Sequence, residues 1–404
     1  MAQMSPIEAF IALRDYCERQ QFKGWDPYDG LNSKVFQAIP FASRSALLRL
    51  CVIQGFKRCP VNLRPLALIA KDYNPKGVAL CLHAYCIVAR LLAGHPEAAQ
   101  QLGTRDGALA RVNQLAELLI SLQSQGDYHG ACWGYNFDWQ SRKNFLFPKY
   151  TPTVVATTFA AQALEAAYQV TGNEHYLQVA LSSAEFVMHD LKRTSHQGGF
   201  IFSYSPIPGN DTVFNASLLG SKLLSMAYRY THRDDYLSAA RSSVVACCAG
   251  QRPDGAWAYG MLPVQQWVDS FHTGYNLEAL YAYGQNTGDS QFQRFIDKGF
   301  DYYISHFFEP DGCPKYYDNR KYPIDIHCPA QLLVTLSTLG KYDQYANLAQ
   351  KVLQWTDDNM RDRKQGYYYY QLKQGVSSKI SYMRWSNAFM LYALAHHLNN
   401  QYFS

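Results

Sequence analysis

Two adjoining stretches decide the fold: TPTVVATTFAAQALEAAYQVTG at residues 151–172 and EHYLQVALSSAEFVMHDL at residues 174–191. The first carries small and apolar residues around the whole helical wheel, which is typical of a helix that is buried on all sides. The second has one apolar stripe, which is typical of a helix at the periphery. A short link joins them, so we predict a hairpin of one inner and one outer helix.

The same pair recurs along the chain. Inner-type segments cover residues 211–231, 269–289 and 324–340, and outer-type segments cover residues 234–250, 290–307 and 345–360. Turns that combine glycine with aromatic residues recur at steps of 53 to 65 residues, at Gly24, Gly77, Gly134, Gly199, Gly255, Gly312 and Gly366. Such a period indicates a repeat architecture. We predict one all-α domain over residues 1–404: an (α/α)6 toroid with short β-hairpins, such as FIFSYS and GYYYYQL, on its rim.

The composition excludes several classes of protein. With 404 residues, 48% hydrophobic and 17% charged, the chain buries enough surface to fold, which excludes disorder. The aromatic content of 15% requires a large core or a cavity lined with rings. A net charge of +5 is too small to indicate a nucleic-acid binder. The segment 41–76 has seven basic residues and one acid, which we interpret as a solvated face, with an anionic polymer or a sugar nucleotide as the alternative ligand.

The N-terminus and the cysteines favour a cytoplasmic location. Residues 1–21 are typical of an amphipathic helix and not of a secretory signal, and the apolar run 78–92 is too short for a membrane span. The ten cysteines include no CxxC pair, so we expect reduced, mostly structural thiols. Cys132 and Cys328 lack the second close pair that a zinc site needs. We predict no metal and no cofactor.

The turns before the inner helices supply candidate substrate-binding residues. In a toroid these turns share one face, so their side chains surround one funnel. Aromatic rings stack on sugar rings, while Asp and Asn bind hydroxyl groups. The predicted set is Trp25, Asp26, Asp29, Trp133, Tyr135, Asp138, Tyr204, Asn210, Asp211, Asn215, Trp257, Tyr259, Tyr275, Tyr316, Tyr317 and Trp385, and the third turn also offers Arg142.

The candidate catalytic residues are two histidines at matching repeat positions, each beside an aspartate, together with nearby ionisable groups: His272, His327, Asp269, Asp325, Arg384, Tyr382 and Glu278. Structural roles remain open for some of them. Asp211 and Asp269 have the residue type of helix N-caps, and the rings in the turns are equally suited to packing between repeats. Arg384 suits a substrate anion as well as an ion pair with a carboxylate on the rim.

Two kinds of reaction fit such a funnel. A pair of carboxylates flanking a glycosidic bond would hydrolyse it. A His or Tyr base with a cation nearby would instead remove the proton next to a uronate carboxylate, which leads to epimerisation or β-elimination. The paired histidines and the arginine favour proton transfer on an acidic sugar.

Several motifs resemble a family encoded in bacterial exopolysaccharide, capsule and O-antigen loci. They are GWDPYDGLNS, NLRPL with NPKG, WGYNFDWQ, SYSP, DGAWAYG, DSFHTGYNLE, PKYYDNRKYPIDIHCPAQ and YMRWSNAFMLYAL, between Gly24 and Leu398. Members are labelled polysaccharide biosynthesis protein, prenyltransferase-like or delta-aminolevulinic acid dehydratase. The last label does not fit, because that enzyme is a (β/α)8 barrel. The resemblance implies a role in surface polysaccharide assembly, and the expected fold is similar to that of six-hairpin glycosidases and sugar epimerases.

We therefore predict a carbohydrate-active enzyme that acts on a sugar or a lipid-linked glycan, peripherally associated with the assembly machinery. Two other classes remain. The first is a non-catalytic glycan-binding or scaffold protein of that machinery. The second is an isoprenoid-acting prenyltransferase or cyclase, although the chain contains neither a DDxxD nor a DxDD motif. A test for product formation separates the enzymes from the scaffold.

Overall fold

The computed structural model describes residues 5–140 and 146–403. In this part of the chain twelve of the helices form two concentric layers. The inner helices are α4 (Pro75–Gly94), α7 (Val154–Thr171), α9 (Phe214–Thr231), α11 (Ser270–Thr287), α13 (His327–Thr338) and α15 (Phe389–Phe403). The outer helices are α1 (Pro6–Arg19), α6 (Arg105–Ser121), α8 (Glu174–Glu185), α10 (Asp234–Ala249), α12 (Gln293–Phe307) and α14 (Ala346–Met360).

The inner helices form a closed ring. Each contacts the next one along the chain, and α15 returns to pack against α4. Helices α6, α8, α10, α12 and α14 each pack on the inner helix that precedes them, whereas α1 packs on α15 at the other end of the chain. The predicted (α/α)6 toroid is confirmed, and α1 completes its sixth hairpin.

Small residues allow the inner helices to pack closely. In α7, for example, Ala156, Ala160, Ala163 and Ala167 are all buried. The Thr153 side chain caps the first turn of this helix. Helix α4 has the length and hydropathy of a membrane span, but most of its surface is buried against α6, α7 and α15. Its apolar character is therefore that of a core helix.

The short strands lie in the connections. Strands β1 (Trp139–Gln140) and β2 (Leu146–Phe147) pair antiparallel, as do β3 (Arg193–His196) and β4 (Gly199–Phe202). The predicted hairpin around residues 200–205 is therefore present in part, as β4. The second predicted hairpin is wrong in its pairing, because β6 (Gln371–Leu372) pairs with β5 (Ile324–Asp325) of the preceding repeat.

Residues 20–74 form a lobe between α1 and α4. It contains the helices α2 (Lys34–Gln37) and α3 (Ala46–Arg58) and short 3-10 turns, while α5 (Ala99–Leu102) lies outside it, before α6. Its own core is a small separate cluster of Leu31, Phe36, Ala42 and Ile53. The lobe joins the ring at the N-terminal ends of the inner helices, on the side where the predicted funnel lies.

The DG turns pack tightly on the outer helices. Asp254 and Asp311 accept hydrogen bonds from the backbone N–H two residues later, as expected for turn formers. Gly255 has a φ of 98°, and a Cβ atom there would lie 2.3 Å from the carbonyl oxygen of Lys298 in α12. Only glycine combines this φ with this close approach.

Replacing Gly255 by alanine should therefore lower the free energy of unfolding by roughly 2–3 kcal/mol, because backbone strain and a steric clash add. Gly288→Ala is the matched control, since Gly288 has a φ of 75° but no atom within 4 Å of the new Cβ. We expect roughly 1 kcal/mol for the control. Urea unfolding measures both values, and equal losses would show that the close approach to α12 costs nothing.

Candidate functional site

A hydrogen bond across the ring axis forms the floor of the funnel. Helices α4 and α11 are opposite members of the ring, and Lys76 Nζ donates to Tyr275 Oη at 3.0 Å. The ammonium group also lies 4.0 Å from the ring centre of Phe159 and 5.8 Å from that of Phe389. Burial, with the nearby Arg384 guanidinium, lowers the pKa of Lys76 well below its usual value. Burial among these rings therefore disfavours the charged form of the amine.

His327 continues this chain of hydrogen bonds. Its Nε2 atom lies 2.7 Å from Tyr275 Oη. Since Lys76 donates to the phenol oxygen, the phenol proton is directed to His327 Nε2. The imidazole stacks on Phe389 with ring centres 3.9 Å apart. Burial and the cations Lys76 and Arg384 lower the pKa of His327 well below its usual value, so this ring is neutral.

His272 and Asp269 form a second pair at the start of α11. Asp269 is the N-cap, accepting from the His272 backbone N–H at 3.0 Å, and its other oxygen lies 2.7 Å from His272 Nδ1. A carboxylate only accepts, so Nδ1 carries a proton, and in the neutral tautomer Nε2 has the free lone pair. The His272 side chain is 20% exposed, whereas Asp269 is fully buried. Asp269 therefore has both of the roles considered for it: it caps helix α11, and it binds the imidazole of His272.

Asp325 does not form the corresponding pair with His327. Its carboxylate accepts from the His327 backbone N–H at 3.0 Å, from Trp385 Nε1 at 2.8 Å and from Gln371 Nε2 at 2.9 Å. The prediction of two equivalent Asp–His pairs is therefore wrong. Burial raises the pKa of Asp325 from 3.8 to about 6, although its hydrogen bonds oppose this shift.

The stability of the protein should depend on pH through Asp325. Its pKa is higher in the folded chain than in the unfolded chain, so the protonated acid stabilises the fold below about pH 4 and this contribution is lost as the pH rises through 6. Relative to Asp325→Asn, the wild type should lose up to about 3 kcal/mol between these pH values and nothing further above them. Thermal melting of both proteins across this range measures the difference. A constant difference would contradict the raised pKa.

Arg384 is held by an internal ion pair. Its Nε and Nη2 atoms donate to the two carboxylate oxygens of Asp26 at 2.6 and 2.8 Å. In the lobe, Arg64 Nε likewise donates to Asp29 at 2.6 Å, and Arg64 also binds the Asp26 carbonyl. Burial raises the pKa of Asp29 to about 6. These contacts give Asp26 and Asp29 structural partners and decide the open interpretation of Arg384 in favour of the ion pair.

Half-buried aromatic rings surround His272 and Trp385 at the mouth. Tyr259 lies 4.8 Å from His272 between ring centres, and Tyr28 lies 5.8 Å from Trp385. Tyr135 and Tyr204 meet through their hydroxyl groups at 3.2 Å. The structure thus brings together a large part of the predicted set, namely Asp269, His272, Tyr275, Asp325, His327, Arg384, Asp26, Trp385, Tyr135, Tyr204, Tyr259, Tyr316 and Tyr317.

Trp133 and Trp257 lie outside the funnel, which corrects their prediction as sugar-stacking residues. They are 0% and 2% exposed. Each indole N–H donates to a carbonyl near the end of an outer helix: Trp133 to Leu119 in α6 and Trp257 to Cys247 in α10. The two tryptophans therefore lock turns onto outer helices, with the same contact in two repeats.

Other predicted residues have local structural partners. Asn210 bonds to the backbone and hydroxyl of Ser205. Asp211 accepts from Lys192 and Thr194 and does not cap α9.

Asp138 accepts from the backbone N–H of Lys149. Asn215 is buried in the first turn of α9. Tyr382 is buried under the Arg64 guanidinium. Arg142 lies outside the described residues.

Glu278 lies one turn below Tyr275 on α11, beneath the funnel floor. Its carboxylate accepts from Gln331 Nε2 and from the Thr335 hydroxyl. Burial raises the pKa of this carboxyl group. Polar side chains of α13 therefore hold the Glu278 carboxyl group in the interior of the ring, below the floor of the funnel.

A cavity of about 370 Å³ lies beside the funnel. The Met383 N–H donates to the Trp25 carbonyl, and both residues line the cavity, next in sequence to the Asp26–Arg384 pair. Its described lining includes no acidic residue but has rings and three lysines: Tyr16, Trp25, Tyr367, Lys23, Lys71 and Lys379. Such a lining suits an anionic ligand with an apolar face.

Lys76 is the residue that the sequence analysis missed. The sequence places it in the basic segment 41–76, which predicts a solvated face. A signal was available, however, because Lys76 follows the Asn74 N-cap of an inner helix, at the same level of the repeat as His272. Its side chain reaches the axis of the ring, where Nζ donates to Tyr275 Oη.

The candidate site can move a proton more readily than it can hydrolyse a glycosidic bond by two carboxylates. All five predicted carboxyl groups near the axis are buried and engaged in internal hydrogen bonds: Asp26, Asp29, Asp269, Glu278 and Asp325. His272, in contrast, has a partly exposed ring, and its neutral tautomer with Nδ1–H directed to Asp269 leaves the Nε2 lone pair free. Within the described residues this atom makes no hydrogen bond, so it is free to act as a base.

The fold is shared with solved structures of sugar-processing proteins. A sugar epimerase from a ruminal bacterium is 13% identical with a TM-score of 0.59, over 82% of this chain and 90% of that one. An unsaturated glucuronyl hydrolase specific for heparin is 13% identical with a TM-score of 0.58, over 97% and 98%. A family 76 α-mannanase from Bacteroides thetaiotaomicron is 13% identical with a TM-score of 0.59, over 81% and 86%. The chain matches no protein-family model and no curated protein.

Proposed function

We propose that this protein is a carbohydrate-active enzyme that transfers a proton to and from a saccharide in the funnel, as a sugar epimerase or a lyase does. The observation that carries the proposal is the Asp269–His272 pair, with its basic Nε2 atom at the mouth. Sugar epimerases and glycoside hydrolases among the solved structures with this fold support a saccharide as substrate.

His272 and Tyr275 have complementary roles in this proposal. His272 Nε2 takes a proton from a carbon of the sugar, and Asp269 stabilises the resulting imidazolium. Burial raises the pKa of Tyr275 well above its usual value, so the phenol remains protonated and serves as the acid. Lys76 Nζ donates to Tyr275 Oη at 3.0 Å, so its ammonium form returns to the phenolate the proton that the phenol gives up, and His327 Nε2 holds the same oxygen at 2.7 Å. An epimerase needs such a base and acid on different sides of one carbon.

The side cavity supports an acidic glycan as the substrate class. Lys23, Lys71 and Lys379 would bind carboxylate or phosphate groups, while Trp25 would stack on a sugar ring. We further propose a role in surface polysaccharide assembly in the cytoplasm. The motifs around DSFHTGYNLE and YMRWSNAF support that setting by their resemblance, and the free thiols of all ten cysteines agree with a reducing compartment.

The test is proton exchange in deuterated water. The protein is incubated with oligosaccharides of glucuronic or galacturonic acid and with neutral oligosaccharides of mannose or glucose, and NMR follows deuterium at each carbon. We expect deuterium at one carbon of an acidic sugar, with an epimerised or unsaturated product. New reducing ends without deuterium would replace the proposal by hydrolysis. Binding by calorimetry without any product would replace it by the scaffold function.

A further inference from the structure

The lobe exposes an unusual share of the apolar surface of this protein. Of thirteen large hydrophobic side chains that are exposed in the described residues, nine lie between residues 35 and 68. Leu66, Phe41 and Leu47 are 80%, 73% and 69% exposed. The remaining six are Val35, Ile39, Leu48, Val61, Leu63 and Leu68. Apolar side chains that cluster on a surface indicate an interaction site, whereas scattered ones do not.

All charged residues in the same segment are basic. Residues 33–71 contain seven Lys and Arg and no Asp or Glu, and all but Arg64, which is buried against Asp29, lie at least partly on the surface. Lys34, Arg44 and Arg58 are exposed. The Arg44 guanidinium lies 5.3 Å from the ring centre of Phe41, so a cation and an exposed apolar side chain are neighbours on the surface. In helix α3, Leu47 and Arg58 lie on one helix face, at a spacing of eleven residues.

This combination fits an anionic lipid bilayer. Apolar side chains enter the boundary between headgroups and acyl chains, and each basic residue near the surface adds electrostatic attraction to anionic lipids. A second copy of the chain fits less well, because a symmetric contact would bring this basic surface against itself. The core of the lobe consists of four buried residues, Leu31, Phe36, Ala42 and Ile53. The nine exposed apolar side chains lie outside this core.

The lobe is firmly attached at the funnel mouth. Arg64 binds Asp29 within the lobe, and Asp26 binds Arg384 at the start of the last inner helix. Lys57 of α3 donates to the Tyr28 hydroxyl at 2.7 Å, and Tyr28 lies next to Trp385. A surface that binds the lobe therefore comes to lie beside the funnel.

We propose that residues 33–71 form a docking face for an anionic membrane surface, with Phe41, Leu47 and Leu66 as inserted side chains. The face holds the protein at the bilayer with the funnel mouth next to the lipid headgroups. This inference stands on the surface of the lobe and does not depend on the reaction in the funnel.

Vesicle co-sedimentation of the full chain tests the docking face. We expect binding to vesicles of phosphatidylcholine with phosphatidylglycerol, little binding to phosphatidylcholine alone, and weaker binding at high salt. The variant F41S/L47S/L66S should lose about tenfold or more in affinity, because the inserted apolar area is removed. The variant K34Q/R44Q/R58Q should lose about a hundredfold.

Matched controls use exposed residues elsewhere. V264S/V376S removes two exposed apolar side chains outside the lobe, and R105Q/K298Q/K364Q removes three exposed bases. Both controls should bind vesicles as the wild type does, and thermal melting should be unchanged in all four variants. The proposal is overturned if the mixed vesicles are not bound, or if the lobe variants bind like the controls. It is also overturned if sedimentation shows that the lobe variants only dissociate a dimer.

Discussion

Replacing Asp26 by asparagine is expected to lower the free energy of unfolding by about 3–5 kcal/mol, the cost of leaving a buried charge without its partner. Asp26 and Arg384 are 3% and 5% exposed, and two hydrogen bonds join them. They lie 358 residues apart in sequence, so the pair ties the lobe to the last inner helix. Urea unfolding followed by circular dichroism measures the loss.

Two further variants separate the charge from the packing. The double variant D26N/R384M should be more stable than the sum of the two single losses predicts, because it leaves no unpaired charge. Asp235→Asn is the surface control. It breaks the Arg233–Asp235 pair, whose side chains are 42% and 46% exposed, and should cost less than about 1 kcal/mol. Equal losses for Asp26→Asn and Asp235→Asn would show that burial does not strengthen the pair.

The ring could be predicted from the sequence because the same pattern of apolar residues recurs in every hairpin. Each hairpin buries an inner helix completely and an outer helix on one side, and this difference reappears about every 55 residues. The position of α1 could not be predicted in this way. Its single apolar stripe requires a partner, but only the closure of the ring shows that the partner is α15.

The two Asp–His pairs form different contacts because their spacing in the sequence differs. Asp269 and His272 are three residues apart, so the N-cap carboxylate reaches both the backbone and the side chain of the residue at the third helical position. Asp325 and His327 are only two apart, and the imidazole turns instead to Tyr275. Residue type predicted both pairs, whereas helix geometry permits one.

The tryptophans and tyrosines of the turns could not be separated by residue type. Trp133 and Tyr135 flank Gly134, Trp257 and Tyr259 flank Ala258 in the fifth turn, and every ring suits both packing and sugar binding. The choice depends on a carbonyl acceptor at the end of α6, which places Trp133 under the turn. Tyr135 remains half-buried at the mouth, with Arg384 5.0 Å from its ring centre. Such contacts depend on helix placement and leave no pattern in the sequence.

Replacing His272 by asparagine is expected to slow deuterium exchange into the saccharide by roughly 10²–10⁴-fold, the usual contribution of a general base. Asparagine retains a polar side chain but has no basic nitrogen. The cap of α11 should be retained, because the backbone N–H of residue 272 forms it. His175→Asn is the matched control, since His175 is exposed on α8, and it should exchange at the wild-type rate.

Asp269→Asn tests whether the carboxylate acts through the imidazole. Asparagine is as good an N-cap as aspartate, so α11 should remain intact. Without the negative charge the imidazolium loses its stabilisation, and the acidic limb of the rate profile should move to lower pH while the rate falls. A residue that merely supported the helix would lower the rate without moving this limb. Wild-type exchange in both His272→Asn and Asp269→Asn would mean that the proton is taken by another group, and the Tyr275–His327–Lys76 chain would then be the base to test.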